Sequence, residues 1–294
     1  MKIFATGLTG FIGQPVAKLL TRNGFEVHAL TRQEIAPDTG SVIWHSCSIF
    51  EHEKTASLLK KIKPAFLLHL GWGVERGYLE SAQNYDWVWA SFELLRSFVE
   101  NRGKKAVFAG TCFEYDLKYA YCSENSTPLT PSTVYGKCKN ILRQLVETYC
   151  VQNNVEWAWG RIFYPFGPGE KDDRFFPAMI KTALKNEPIQ VKTAQQFRDF
   201  VYVEDVAEMF VELLSGHCGG AVNIASGIPR GRGDIVRAIL AATRSSSSVE
   251  FGQIETGEPD ILLADVNKLR SACSCKPTDF EVGLRKTIDY WRAR

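Results

Sequence analysis

Lys2-Ile3-Phe4-Ala5-Thr6-Gly7-Leu8-Thr9-Gly10-Phe11-Ile12-Gly13 opens the chain. An apolar strand pattern runs straight into a glycine-rich turn and then into a helical pattern. Small residues at such a turn let backbone N–H groups and a helix N-terminus approach a pyrophosphate, and the last glycine lets helix and strand pack closely. Glycines after strands also serve tight turns for steric reasons alone. Their place here, strand before and helix after, favours a dinucleotide site built from Gly7, Thr9, Gly10, Phe11, Ile12 and Gly13.

Outward from this turn, short apolar runs alternate with longer amphipathic ones. The pattern predicts strands over 2–6, 26–31, 41–44, 65–70, 105–110 and 156–163, with helices starting near Phe11, His52, Leu79 and Tyr135. Asn23-Gly24 closes the first helix as a C-cap pair. This is an α/β reading: a doubly wound parallel sheet over residues 1–167. After Gly167-Pro168-Gly169 the elements shorten, with helices expected over 175–185, 203–214, 234–243 and 282–292 and extended pieces over 189–192 and 221–225. Residues 168–294 are therefore expected to form mainly a smaller C-terminal lobe for substrate, with some segments returning to the main sheet.

A chain of 294 residues, 45% apolar, can bury a sizeable core without staples. Thirty-five basic against 33 acidic residues, without long runs of either sign, argue against a nucleic-acid groove or an anionic membrane surface and for a small ligand. The opening residues lack the pattern of a secretion signal, and no run of about 18 apolar residues occurs, so a cytoplasmic protein is expected. The eight cysteines and five histidines show no metal-ligand spacing, even at Cys273-Ser274-Cys275, and no metal is expected.

Where the second strand ends, an NAD site would carry an acid for the ribose 2′-hydroxyl; this chain has Arg32, which suits a 2′-phosphate and favours NADP(H). Glu34 lies close enough to keep NAD(H) open. Further on, Tyr135-Gly136-Lys137-Cys138-Lys139 puts a phenol and an ammonium on one helix face. A cation there favours phenolate and would lower the tyrosine pKa, so that Tyr135 could exchange a proton near neutral pH.

Together, the glycine turn and the Tyr-x-x-x-Lys pair resemble the extended short-chain dehydrogenase/reductase family. The likeness continues through Arg161-Ile162-Phe163-Tyr164-Pro165-Phe166-Gly167-Pro168-Gly169, Arg198-Asp199-Phe200-Val201-Tyr202-Val203-Glu204-Asp205, Asn223-Ile224-Ala225-Ser226-Gly227 and Gly283-Leu284-Arg285. It implies a Rossmann fold, a nucleotide-sugar substrate and a homodimer built on the helices near 79–100 and 135–149, where Trp87, Leu94, Leu95, Leu142 and Leu145 could supply part of the face or equally belong to the core.

By the same resemblance the catalytic hydroxyl falls on Thr111, Tyr135 exchanges the proton, and Lys139 holds the nicotinamide ribose while depressing the tyrosine pKa. Ser48 and Ile49 stand where adenine is recognised, and Leu70, Gly71 and Trp72 line the cofactor. Cys112, Phe113 and Arg198 are implied at the substrate, Arg198 on the diphosphate; the alternative for Arg198 is an ion pair with Asp199. A second family arginine is replaced in Thr256-Gly257-Glu258-Pro259-Asp260, with Arg230 or Arg232 as substitutes. The 4,6-dehydratases of the family place an Asp-Glu pair directly after the threonine, but here Cys112-Phe113 follows and Glu114 is displaced, which disfavours dehydration. The resemblance and Arg32 together imply NADPH-dependent 4-ketoreduction of a nucleotide-linked 4-keto-6-deoxyhexose. The alternatives are an NAD-dependent nucleotide-sugar epimerase and a non-catalytic NADP-binding sensor.

Overall fold

Neighbouring strand residues near the N-terminus enter different cores: Ile3 and Ala5 face one, Phe4 the other. That two-sided burial is what a parallel sheet covered on both faces demands. The computed structural model describes residues 1–33, 41–254 and 259–294. In chain order the first half gives β1 (Lys2–Thr6), α1 (Gly13–Arg22), β2 (Glu26–Thr31), β3 (Val42–Ser46), α2 (His52–Ile62), β4 (Phe66–His69), α3 (Gln83–Glu100), β5 (Lys105–Thr111), β6 (Tyr121–Cys122), α4 (Val134–Gln152) and β7 (Glu156–Ile162). The second half gives β8 (Tyr164–Phe166), α5 (Phe175–Leu184), β9 (Ile189–Val191), β10 (Phe197–Tyr202), α6 (Val203–Ser215), β11 (Gly220–Ile224), β12 (Pro229–Gly231), α7 (Arg232–Thr243), β13 (Val249–Phe251), β14 (Ile261–Ala264), α8 (Asn267–Ala272) and α9 (Phe280–Arg292).

Seven strands form the main parallel sheet in the order β11-β7-β5-β4-β1-β2-β3. Helices α1 and α6 bury Val16, Leu20, Val206 and Phe210 on one face; α2, α3 and α4 bury Leu59, Leu94, Phe98, Leu142 and Val146 on the other. The doubly wound reading therefore holds. The segment Val203–Ile224 belongs to this layer too, since α6 packs on α1 and β11 extends the sheet beside β7.

Several boundaries differ from the sequence pattern. The run 156–163 divides, because the chain leaves the main sheet at Phe163 and β8 pairs with β10 instead. The helix expected near Leu79 begins at Gln83, after a short 3-10 turn at Tyr78–Glu80. A second sheet, β12-β10-β14-β6 with β8 beside β10, underlies the smaller lobe, whose core gathers Phe166, Phe176, Phe200 and Phe280. No described helix is long and apolar enough to cross a membrane.

Candidate active site

The glycine turn separates into two kinds of position. Gly7 has φ +78°, and a Cβ there would come within 2.6 Å of the Gly71 nitrogen. A Cβ on Gly13 would lie 2.0 Å from the Gly7 carbonyl oxygen. Both are required by the protein's own packing. Gly10 is exposed, and its added Cβ would meet only the Gly7 oxygen at 3.3 Å. Beside it, α1 begins without a side-chain cap and without an acid in its first turn. A helix start without a side-chain cap, beside the exposed Gly10, fits a dinucleotide pyrophosphate. Phe11 and Ile12 pack against the lobe core and join the turn to the second half of the chain.

Behind the turn, the Gly71 N–H donates to Thr6 Oγ1 at 3.2 Å, and Thr6 Oγ1 lies 2.6 Å from His69 Nδ1. His69 Nε2 contacts Ser91 Oγ at 2.8 Å. Burial, aided by the Lys139 charge, pulls His69 down to about 3, so the ring is neutral. This relay, which no local pattern announces, fixes Gly71 against the end of β1.

Thr111 ends β5 and caps the 3-10 turn Cys112–Glu114: its hydroxyl accepts from the Phe113 N–H at 3.3 Å, and Glu114 Oε1 accepts from the Thr111 N–H at 2.9 Å. Tyr135, in the first turn of α4, is hydrogen-bonded to Thr111. Its ring is enclosed by Tyr78, Trp72 and Phe113, with centroids at 4.9, 6.1 and 6.4 Å. One helical turn on, Lys139 is buried and donates to the Ala109 carbonyl at 2.8 Å, with Nζ 3.8 Å from the Trp72 ring centroid. Thr111, Tyr135 and Lys139 are thus brought together.

Their electrostatics differ from the sequence expectation. Burial, reinforced by Tyr78, raises the Tyr135 phenol well above its ordinary value despite the opposing Thr111 hydrogen bond. Lys139 itself is pulled down to about 7 by burial, against the Glu114 charge. The phenol faces aromatic rings and the ammonium turns to Ala109 and Trp72, so helix spacing alone did not produce the pKa-lowering pair.

Other expected site residues point elsewhere. Ile49 turns into the core and leaves Ser48 half-buried in the loop after β3. The Cys112 side chain also enters the core, whereas Phe113 lies against Tyr135. Arg198 is fully buried on β10, where Nη1 donates to the carbonyls of Phe197, Pro259 and Asp260 at 2.9, 3.0 and 3.3 Å. Its guanidinium braces the lobe through these carbonyls. Nor does it pair with Asp199, whose carboxylate accepts from the N–H groups of Ser226, Gly227 and Ala264. Arg230 covers Phe280 and Arg232 bonds Thr193 Oγ1 at 2.6 Å. Arg32 is exposed directly after β2. Glu34 and Thr256-Gly257-Glu258 lie outside the described residues.

The NAD dependent epimerase/dehydratase family profile matches residues 3–225, and the chain belongs to that family, an extended short-chain dehydrogenase/reductase group. It is 26% identical to an uncharacterized UDP-glucose epimerase of Bacillus subtilis, over 99% of this chain and 98% of that protein. It is also 26% identical to the dTDP-6-deoxy-L-talose 4-dehydrogenase (NAD(+)) of Aggregatibacter actinomycetemcomitans, over 82% and 90% of the two chains. The fold matches a UDP-N-acetylglucosamine 4-epimerase of Methanobrevibacter ruminantium with a TM-score of 0.89 at 20% identity, covering 99% of this chain and 98% of that one.

Proposed function

We propose that the chain reduces a 4-keto sugar linked to a nucleoside diphosphate, with a nicotinamide cofactor at the Gly7–Gly13 turn, in the cytoplasm. One observation carries this reading: Tyr135 is a protonated phenol, hydrogen-bonded to Thr111 inside an aromatic enclosure. A neutral phenol is a proton donor, and reduction of a carbonyl needs a proton at the oxygen.

The turn from Gly7 to Gly13, Gly71, Trp72 and Lys139 would hold the cofactor, which supplies the two-electron reducing equivalent when bound. Thr111 orients the sugar oxygen, Tyr135 gives it the proton, and Lys139 steadies the ribose. Arg32 at the end of β2 supports NADPH as the form used. Elimination of water would need a free acid and base beside Thr111, and Glu114 is instead bonded to Arg161 Nε at 2.8 Å. Among the relatives, the dTDP-6-deoxy-L-talose 4-dehydrogenase supports a keto–alcohol conversion at C4.

Epimerisation is the second reading, favoured by the Bacillus subtilis relative and served by the same three residues. Incubation with NADPH and dTDP-, CDP- or GDP-linked 4-keto-6-deoxyhexoses separates the two. A reductase consumes one NADPH per alcohol formed. Interconversion of nucleotide sugars at constant NADPH absorbance would replace reduction with epimerisation. We also propose a homodimer through the outer faces of α3 and α4, where Tyr85, Trp89, Ile141 and Leu145 are exposed. Trp87, Leu94, Leu95 and Leu142, candidates for that face by sequence, lie in the core.

A further inference from the structure

Glu114 has no exposed surface and is held on every side: Thr111 N–H at 2.9 Å, Trp159 Nε1 at 2.8 Å and Arg161 Nε at 2.8 Å. Arg161 also donates to the Tyr115 hydroxyl at 3.0 Å, and that hydroxyl donates to Asn223 Oδ1 at 2.7 Å. A buried ion pair of this kind adds little stability over an apolar pair of the same shape, because two charges must leave water. Its position directly behind the reacting hydroxyl is what distinguishes it.

We propose that Glu114 is a positioning residue for the reaction, fixing Thr111 toward Tyr135. This role rests on the proposed reduction and deepens it. Glu114 Oε1 accepts from the Thr111 N–H while the Thr111 hydroxyl accepts from the Phe113 N–H, so the residue that meets Tyr135 has its backbone held from below. No room is left for the carboxylate to move: a Cβ on Gly110 would lie 2.6 Å from Glu114 Oε1 and 2.1 Å from Trp159 Nε1.

The charged and titratable groups around Lys139 are few. His69 faces it from β4 and is neutral; Tyr135 shares its helix and is protonated; Glu114 faces it from the turn after β5. The carboxylate is the group that favours the charged amine, against burial among the Trp72 and Trp159 rings. Arg161 anchors the carboxylate at Oε2, while Oε1 serves Thr111 and Trp159.

The test uses the full chain with Glu114→Gln and with the neutral pair Glu114→Gln/Arg161→Gln, the second relieving Arg161 of an unmatched charge. Expected for a folded variant is a kcat lower by about tenfold or more, a sugar KM within about twofold, and an alkaline limb of kcat moved down by about one pH unit, the scale of a lost charge–charge interaction. Glu114→Asp, which keeps the charge, should restore the limb. A folded neutral pair with wild-type kcat and pH profile would overturn the proposal. So would a neutral pair that cannot fold, since the ion pair would then be kept for stability. If the wild-type chain turns over no nucleotide sugar, the functional reading fails instead, and the pH dependence of NADPH and NADH binding still reports the Lys139 charge: a limb shifted by Glu114→Gln supports the proposal, an unmoved one removes it.

Discussion

The Lys139 ammonium rests 3.8 Å from the centroid of the Trp72 indole, a contact that partly replaces the water it has lost. Burial nevertheless pulls the amine down to about 7. An unfolded lysine titrates near pH 10.4, so between about pH 7 and 10 the unfolded chain binds more protons at this site than the folded one, and stability rises with pH across that window. From pH 7 to 9, wild type should gain roughly 2 kcal/mol relative to Lys139→Met in urea unfolding. A difference that does not change with pH would show that Lys139 does not titrate there.

Gly10 and Gly13 should respond differently to alanine. At Gly13 the new methyl would meet backbone at 2.0 Å, so Gly13→Ala should lower the melting temperature by several degrees or prevent folding. Gly10→Ala meets little of the protein and should fold normally while weakening NAD(P)H binding by about tenfold or more, read by fluorescence titration. Equal cofactor affinity in Gly10→Ala would remove the pyrophosphate from this turn.

Tyr135→Phe keeps the ring that packs on Tyr78 and removes only the hydroxyl. Turnover should fall about 100-fold or more, the scale of general acid–base catalysis, with cofactor binding and melting temperature nearly unchanged. Retention of most activity would take Tyr135 out of the proton transfer.

Arg32 is exposed, so its replacement carries little structural cost. Arg32→Ala should weaken NADPH binding by about tenfold and NADH binding by less than twofold, because only the former carries a 2′-phosphate. An equal loss for both would assign Arg32 no part in choosing between them.

Ile141 and Leu145 stand one helical turn apart on the exposed side of α4, while Phe92 and Tyr149 bridge α3 to α4 edge-to-face at 5.4 Å. Ile141→Glu/Leu145→Glu should convert a dimer to a monomer in sedimentation at micromolar concentration without lowering secondary structure. A wild-type chain that is already monomeric there would dismiss this interface.

The N-terminal turn, the alternation of strands and helices, and the meeting of Tyr135 with Lys139 on one face of α4 were legible in the sequence, because each is a matter of local spacing. A glycine turn between strand and helix spans a dozen residues, and helix periodicity places residues four apart whatever surrounds them. Where the side chains then turn was decided by tertiary structure. Lys139 bonds the carbonyl of Ala109, thirty positions away; Arg198 is sealed under Pro259 and Asp260; Cys112 and Ile49 enter the core in place of a ligand surface. The second sheet was likewise unreadable, since strands as short as Tyr121–Cys122 carry no periodicity and are defined only by a partner such as Leu263–Ala264, far along the chain. Charge followed the same division. Spacing predicted a tyrosine acidified by its lysine, but burial of both groups among Trp72, Tyr78 and Trp159 reversed the sign, because desolvation depends on the whole enclosing structure and not on the distance along one helix.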